Sequence, residues 1–220
     1  MNQIKPDEVF QWRIDQWFPD FDKVTLAKLR KLHTELMKMN KTADLISAKT
    51  AVVADALHFA DSILASRIIM RSYPKISSIT DFGSGAGFPG LILAIIYPNI
   101  QVTLTDGDQK KCEFLNHMVQ ALGLTNAKVI FTSIDKMPDN SIEYAICRGF
   151  LSITKTLLLS RKIVKKGGQV FHLKGEEWGV EVSEMPSQIC SVWSPKLVGE
   201  YRLPVGEIRF SVVGTEKINN

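Results

Sequence analysis

The 220-residue chain has only three cysteines, Cys112, Cys147 and Cys190, which lie far apart and form no C-x-x-C pair. A disulfide framework and a thiolate zinc site are thereby excluded as organising features, and reduced, structural thiols are expected. No stretch of roughly 18 apolar residues occurs, so no membrane-spanning helix is expected. The opening segment, MNQIKPDEVFQWRIDQWF, carries acids and tryptophans where a secretory signal needs an unbroken apolar run, which points to a cytoplasmic protein. Internal repeats and low-complexity stretches are missing. Charge of one sign is in small excess: the net charge of +4 permits an acidic partner such as RNA without demanding one. Against these absences stands a composition 45% hydrophobic and 23% charged, sufficient for one substantial core and a small appendage.

Two textures divide the chain. From about residue 7 to 70 apolar residues recur at helical spacing, as in Leu29, Leu32, Leu36 and Met39, then Val53, Ala56, Leu57, Ala60 and Leu64. A helical region over 1–75 is expected. After the break at RSYPKISS, strands alternate with helices: strand SSITDF, a helix over 88–96, strand IQVTLTD, a helix over 108–122, strands AKVIF and EYAICR, a helix over 151–164, and strand QVFHLK. Strands joined through helices pair in parallel with right-handed crossovers, so 76–220 reads as a doubly wound α/β domain. EYRLPVGEIRFSVVG then supplies two β-rich runs around a short Pro-Val-Gly link, which forces antiparallel pairing. A terminal antiparallel hairpin is the habit of class I methyltransferases, not of dinucleotide folds.

The stretch DFGSGAGFPG, residues 81–90, follows the first strand and contains both G-x-G-x-G (Gly83, Gly85, Gly87) and G-x-G-x-x-G (Gly85, Gly87, Gly90). S-adenosylmethionine and a dinucleotide are the two ligands that such a bare turn admits. Asp81 favours the first: a carboxylate there repels the pyrophosphate that a dinucleotide would lay over the helix N-terminus, whereas it suits the cationic methyl donor. Asp106, closing the second strand, is placed to accept from ribose hydroxyls, or alternatively to cap the next helix. A turn without a ligand is the blander alternative for the glycines.

With these residues in hand, the chain resembles the RsmG (GidB) family of bacterial 16S ribosomal RNA guanine-N7 methyltransferases from about Leu29 to Val213. The resemblance rests on DFGSGAGFPG, LTDGDQKKCEFL, CRGF and HLKG, together with His58, Asp61 and Ser62 against the family's H-x-x-D-S. It implies the class I S-adenosylmethionine-dependent fold with an N-terminal helical extension. It also implies cofactor contacts at Gly83, Phe88, Ile134, Asp135 and Arg148, with Asp106 on the ribose, and ribosomal RNA or the small subunit as partner. No metal and no membrane are implied, and a monomer is taken as the default. The family's W-N-x-x-x-N-L-T is replaced here by MNKTADLI, which keeps Asn40 and Leu45, and Cys147 and Gly149 stand where serine and alanine are usual.

Guanine N7 already holds a free lone pair, so its methylation needs positioning and no base. Consistently, ICRGF follows the fourth strand in place of the [ND]-P-P-[YF] turn of amino-methylating enzymes. Arg148, at the carboxyl end of that strand, is the candidate catalytic residue, reaching cofactor, base or phosphate; an ion pair at the strand end is its alternative. Its replacement by alanine is expected to abolish transfer and leave the fold intact. Cys147 reads as a buried apolar residue. His58 and Asp61, at i and i+3, are expected to fasten the helical region onto the sheet. Lys174 reads as solvated, and Arg161, Lys162, Lys165 and Lys166 as a solvated helix end. A small-molecule or protein methyltransferase, a dehydrogenase and a non-catalytic RNA-binding assembly factor are the competing readings.

Overall fold

The computed structural model describes residues 10–220, and the first nine residues of the expected helical region lie outside the described residues. Seven strands form one sheet in the order β3-β2-β1-β4-β5-β7-β6. They are β1 (Ser78–Phe82), β2 (Gln101–Asp106), β3 (Ala127–Phe131), β4 (Ile142–Arg148), β5 (Val164–Lys174), β6 (Trp193–Arg202) and β7 (Arg209–Lys217). Pairing is parallel from β3 through β5, and β7 runs antiparallel to both β5 and β6. The carboxyl ends of β1, β2, β4 and β5 therefore share one edge, where open α/β sheets hold their ligands.

Helices α1 (Ile14–Trp17), α2 (Lys23–Ala43), α3 (Ala48–Ala51), α4 (Asp61–Ser72), α5 (Gly90–Ile96) and α6 (Gln109–Ala121) precede β4, and α7 (Ile153–Ser160), α8 (Trp178–Ser183) and α9 (Ser187–Cys190) follow it. Asp22 starts α2 by accepting from the Thr25 N–H, and Asp108 starts α6 by accepting from Lys110 and Lys111 N–H. Helix α5, GLILAII, is buried from Gly90 through Ile95 because the sheet lies on one side and α2 and α4 on the other. An all-apolar helix is what such a sandwiched position requires. The core on this side runs without interruption from Ile14, Leu29 and Leu36 to Leu91, Leu104 and Val212. A second core, holding Phe82, Leu157, Ile189 and Trp193, fills the opposite face beneath α7 to α9.

Several boundaries move. The helix expected over 151–164 ends at Ser160, because Val164 already opens β5 and pairs with Ile142. Lys165 and Lys166 thus belong to a strand and not to a helix end. β6 begins at Trp193, before the expected run, and α8 and α9 carry no sequence signal strong enough to announce such short helices. Immediately before α4, Asp55–Ala60 winds as a π-helix, a local widening that frees backbone carbonyls and recurs at functional sites.

Candidate active site

At the shared strand edge lies a cavity of about 840 Å³, within the size range of small-molecule and cofactor sites, roughly 300–1,000 Å³. The glycine turn after β1 forms its floor through Gly83 and Gly85, whereas Gly87, packed against Leu91, does not line it; the three have φ of +67°, +55° and +88°. These left-handed angles are open to glycine and strained for other residues. The turn is tied to β2: Ser84 N–H donates to Thr105 O at 2.8 Å, and Thr105 N–H donates to Ser84 Oγ at 3.1 Å. A Cβ at Gly90 would lie 2.3 Å from Leu104 Cδ2 and 2.5 Å from Asp81 Oδ2. The third glycine of the G-x-G-x-x-G is thus required by helix–strand packing and not by a ligand.

Asp106 lines the cavity. Its Oδ2 accepts from Gly85 N–H at 2.8 Å and its Oδ1 from Asp108 N–H at 2.9 Å. Asp108 caps α6, which removes the capping alternative for Asp106. A carboxylate offers about four lone-pair directions, so two remain for a ligand's hydroxyls.

Asp81 stands apart. It is fully buried, does not line the cavity, and accepts from Gly90 N–H at 3.0 Å through Oδ2, while Oδ1 has no partner. Burial pushes its carboxyl up to about 7, since an ion in an apolar enclosure loses its hydration. Phe88 and Ile134 are both buried and line the cavity, whereas Asp135 is exposed, hydrogen-bonded by Ser133 Oγ, and outside the lining.

Arg148 reaches the cavity wall, but its guanidinium is already engaged. Nη1 donates to Leu57 O at 2.7 Å and to Asp61 Oδ2 at 3.0 Å, and Nη2 meets His58 Nδ1. The π-wound turn presents the Leu57 carbonyl, and Asp61, only 1% exposed, receives a further hydrogen bond from Tyr201 Oη at 2.5 Å. Burial raises the Asp61 carboxyl, with Arg148 and Tyr201 pulling it back. The expected His58–Asp61 pair therefore acts through Arg148, fastening the helical region to the end of β4. Removing Arg148 would strand a buried acid, so the expectation that alanine there spares the fold is corrected.

Cys147 is buried and its thiol is pushed up to about 12 by desolvation. It contacts His172 Nδ1 at 3.4 Å, away from the cavity lining. Lys174 is not solvated as expected: its Nζ donates to Leu151 O at 3.1 Å and to both Glu181 oxygens at 2.9 Å. Residues the sequence did not single out, Thr50, Lys111, Phe150 and Phe210, complete the walls. Phe150 was legible only as the last letter of CRGF.

A sheet with one antiparallel strand inserted next to last, and a glycine turn facing an acid at the ends of β1 and β2, define a class I S-adenosylmethionine-dependent methyltransferase fold. Solved structures agree: a putative S-adenosylmethionine-dependent methyltransferase from Methanococcus maripaludis matches with a TM-score of 0.54 at 15% identity, covering 86% of this chain and 93% of that one. Residues 25–195 match the model of the family GidB, rRNA small subunit methyltransferase G. A relative from Bdellovibrio bacteriovorus, ribosomal RNA small subunit methyltransferase G 3, is 54% identical over 99% of this chain and 98% of its own length. Another, from Halorhodospira halophila, is 28% identical over 90% of this chain and 94% of its own. The chain belongs to the rRNA small subunit methyltransferase G family.

Proposed function

We propose that the protein transfers a methyl group from S-adenosylmethionine to N7 of a guanine in 16S ribosomal RNA, working in the cytoplasm. Family membership over most of the chain carries this reading, and the cavity's chemistry supports it. When bound, the cofactor supplies an electrophilic methyl on a cationic sulfur.

The bare turn at Gly83, Gly85 and Gly87 would let the methionyl part lie close to the backbone, with Asp106 accepting from the ribose and Phe88 and Ile134 flanking the nucleoside. Asp81 would act from behind the turn, its charge favoured by a nearby cation. Asp135 would need to turn from Ser133 to meet the adenine amine. Arg148 would hold the donor's edge of the site while keeping its ties to Asp61 and His58.

Among the described residues, no general base is left free at the cavity once Asp106 is given to the ribose. Asp61 is paired with Arg148, Asp81 is sealed behind the turn, and burial depresses His58 to about 3. N7 methylation fits that wall, because its lone pair needs only alignment, and positioning alone supplies about 7–11 kcal/mol. The test is incubation of the purified protein with labelled S-adenosylmethionine and unmethylated small ribosomal subunits, followed by nucleoside mapping. N7-methylguanosine in 16S RNA is expected; label in another base or only in protein would overturn the reading.

A further inference from the structure

We infer that Phe150 is the platform on which the target base stacks during methyl transfer, an inference that rests on the reading of the site as a guanine methyltransferase. The segment after β4 reads Cys147-Arg148-Gly149-Phe150. Cys147 is buried against His172, Arg148 is held by Leu57, His58 and Asp61, and Gly149 has no side chain. Phe150 alone brings an uncommitted side chain from this segment to the cavity.

Its placement is that of a wall prepared for a flat partner. The ring is half-buried and presses on Gly83 at the turn, where a Cβ would come within 2.3 Å of Phe150 Cδ2. Another part packs on the core that holds Phe82 and Ile153. Lys174 fixes the next carbonyl, Leu151 O, so the chain on both sides of the ring is held. Phe88, the other phenylalanine beside the glycine turn, is already covered by His58, Phe59 and the Arg148 guanidinium. Among the described residues no ring or cation stacks on Phe150.

A part-exposed ring at a cavity wall keeps apolar surface in water that a base can cover, and nucleobases extruded for chemistry are gripped by stacking on such rings. From its contact with Gly83, Phe150 stands beside the turn assigned to the methyl donor. A base lying on it would be held next to the transferable group.

The test compares Phe150→Leu, Phe150→Ala, Phe150→Tyr and Phe150→Trp in methyl transfer to unmethylated small ribosomal subunits, with cofactor affinity measured by calorimetry. Leucine keeps the apolar packing and loses the π face, which separates stacking from folding. Expected are near wild-type kcat/KM for tyrosine and tryptophan, a loss of about 5- to 150-fold for leucine and alanine, and cofactor affinity unchanged in all four. Leucine as active as phenylalanine, or cofactor affinity falling in step with activity, overturns the inference. A wild-type protein that methylates no ribosomal RNA overturns the proposed function itself, and the inference with it.

Discussion

At Gly90 a hydrogen atom is all the side chain the structure accommodates. Leu104 on β2 and the Asp81 carboxylate leave no room for a methyl, and the Gly90 N–H is the group that holds Asp81 Oδ2. Gly90→Ala is expected to lose about 1–3 kcal/mol of stability through overpacking, seen as a lower urea midpoint, and to weaken cofactor binding by tilting the start of α5. The cysteines differ just as sharply. Cys112 and Cys147 are buried with raised thiol values, while Cys190 is exposed. Since thiolate and access govern reactivity, a thiol-specific reagent should modify one cysteine, Cys190, in the native protein and all three after unfolding; rapid native modification of Cys147 would contradict its burial.

Between elements, the decisive joint is where the π-wound turn and α4 meet the ends of β4 and β6. Arg148 from β4 and Tyr201 from β6 converge on Asp61 from α4. A charge buried without its partner is costly, so Arg148→Ala is expected to destabilise by about 3 kcal/mol. The Arg148→Ala, Asp61→Asn double variant should recover part of that loss, because no orphaned charge remains. Urea denaturation of the cycle measures the pairing directly; additive single losses would show that the ion pair is not what joins the elements. On the other face no helix lies between β3 and β4, which are joined by residues 132–141 with one 3-10 turn, and Ile130 and Phe131 stay 36% and 60% exposed. Phe131→Ser there should change stability by no more than about 0.5 kcal/mol, as for surface substitutions generally, and a larger loss in the same assay would show that something covers this edge.

For the whole molecule, buried titratable groups set the dependence of stability on pH. Burial lowers His33 to about 4 and His58 and His172 to about 3. Below the unfolded value near 6.5 the unfolded chain then binds more protons than the native one, so stability falls as pH drops from about 6.5 toward 4, by up to about 1.4 kcal/mol per pH unit for each imidazole. Asp81, raised to about 7, works in the opposite sense. Its contribution is fully present below the unfolded carboxyl value near 4 and is lost as pH rises through about 7. Three imidazoles outweigh the raised acids on the acidic side, so a stability maximum between about pH 6 and pH 7 is expected by guanidinium denaturation. Asp81 opposes the imidazoles between about pH 4 and pH 7, so Asp81→Asn should steepen the rise of stability over that range; an unchanged slope would show that Asp81 does not titrate there.

The order of strands and helices followed from local chemistry: alternation of strand and helix periods, glycines needing left-handed angles, and a hairpin too short for a parallel return. Those signals act over a few residues, and they sufficed for the fold class and for the left-handed glycine turn. Short helices such as α8, the π-wound turn before α4 and the early start of β6 were not legible, because each is stabilised by packing and not by propensity. Sequence reading expected both Asp81, one residue before the end of β1, and Asp106, the last of β2, to meet the ligand, yet burial behind the turn withdraws the first and leaves the second lining the cavity. The engagement of Arg148 by residues about ninety positions upstream, and the uncovered ring of Phe150, are long-range outcomes. Local sequence fixes what a side chain offers, and only the closing of the chain in space decides what remains for that side chain to meet.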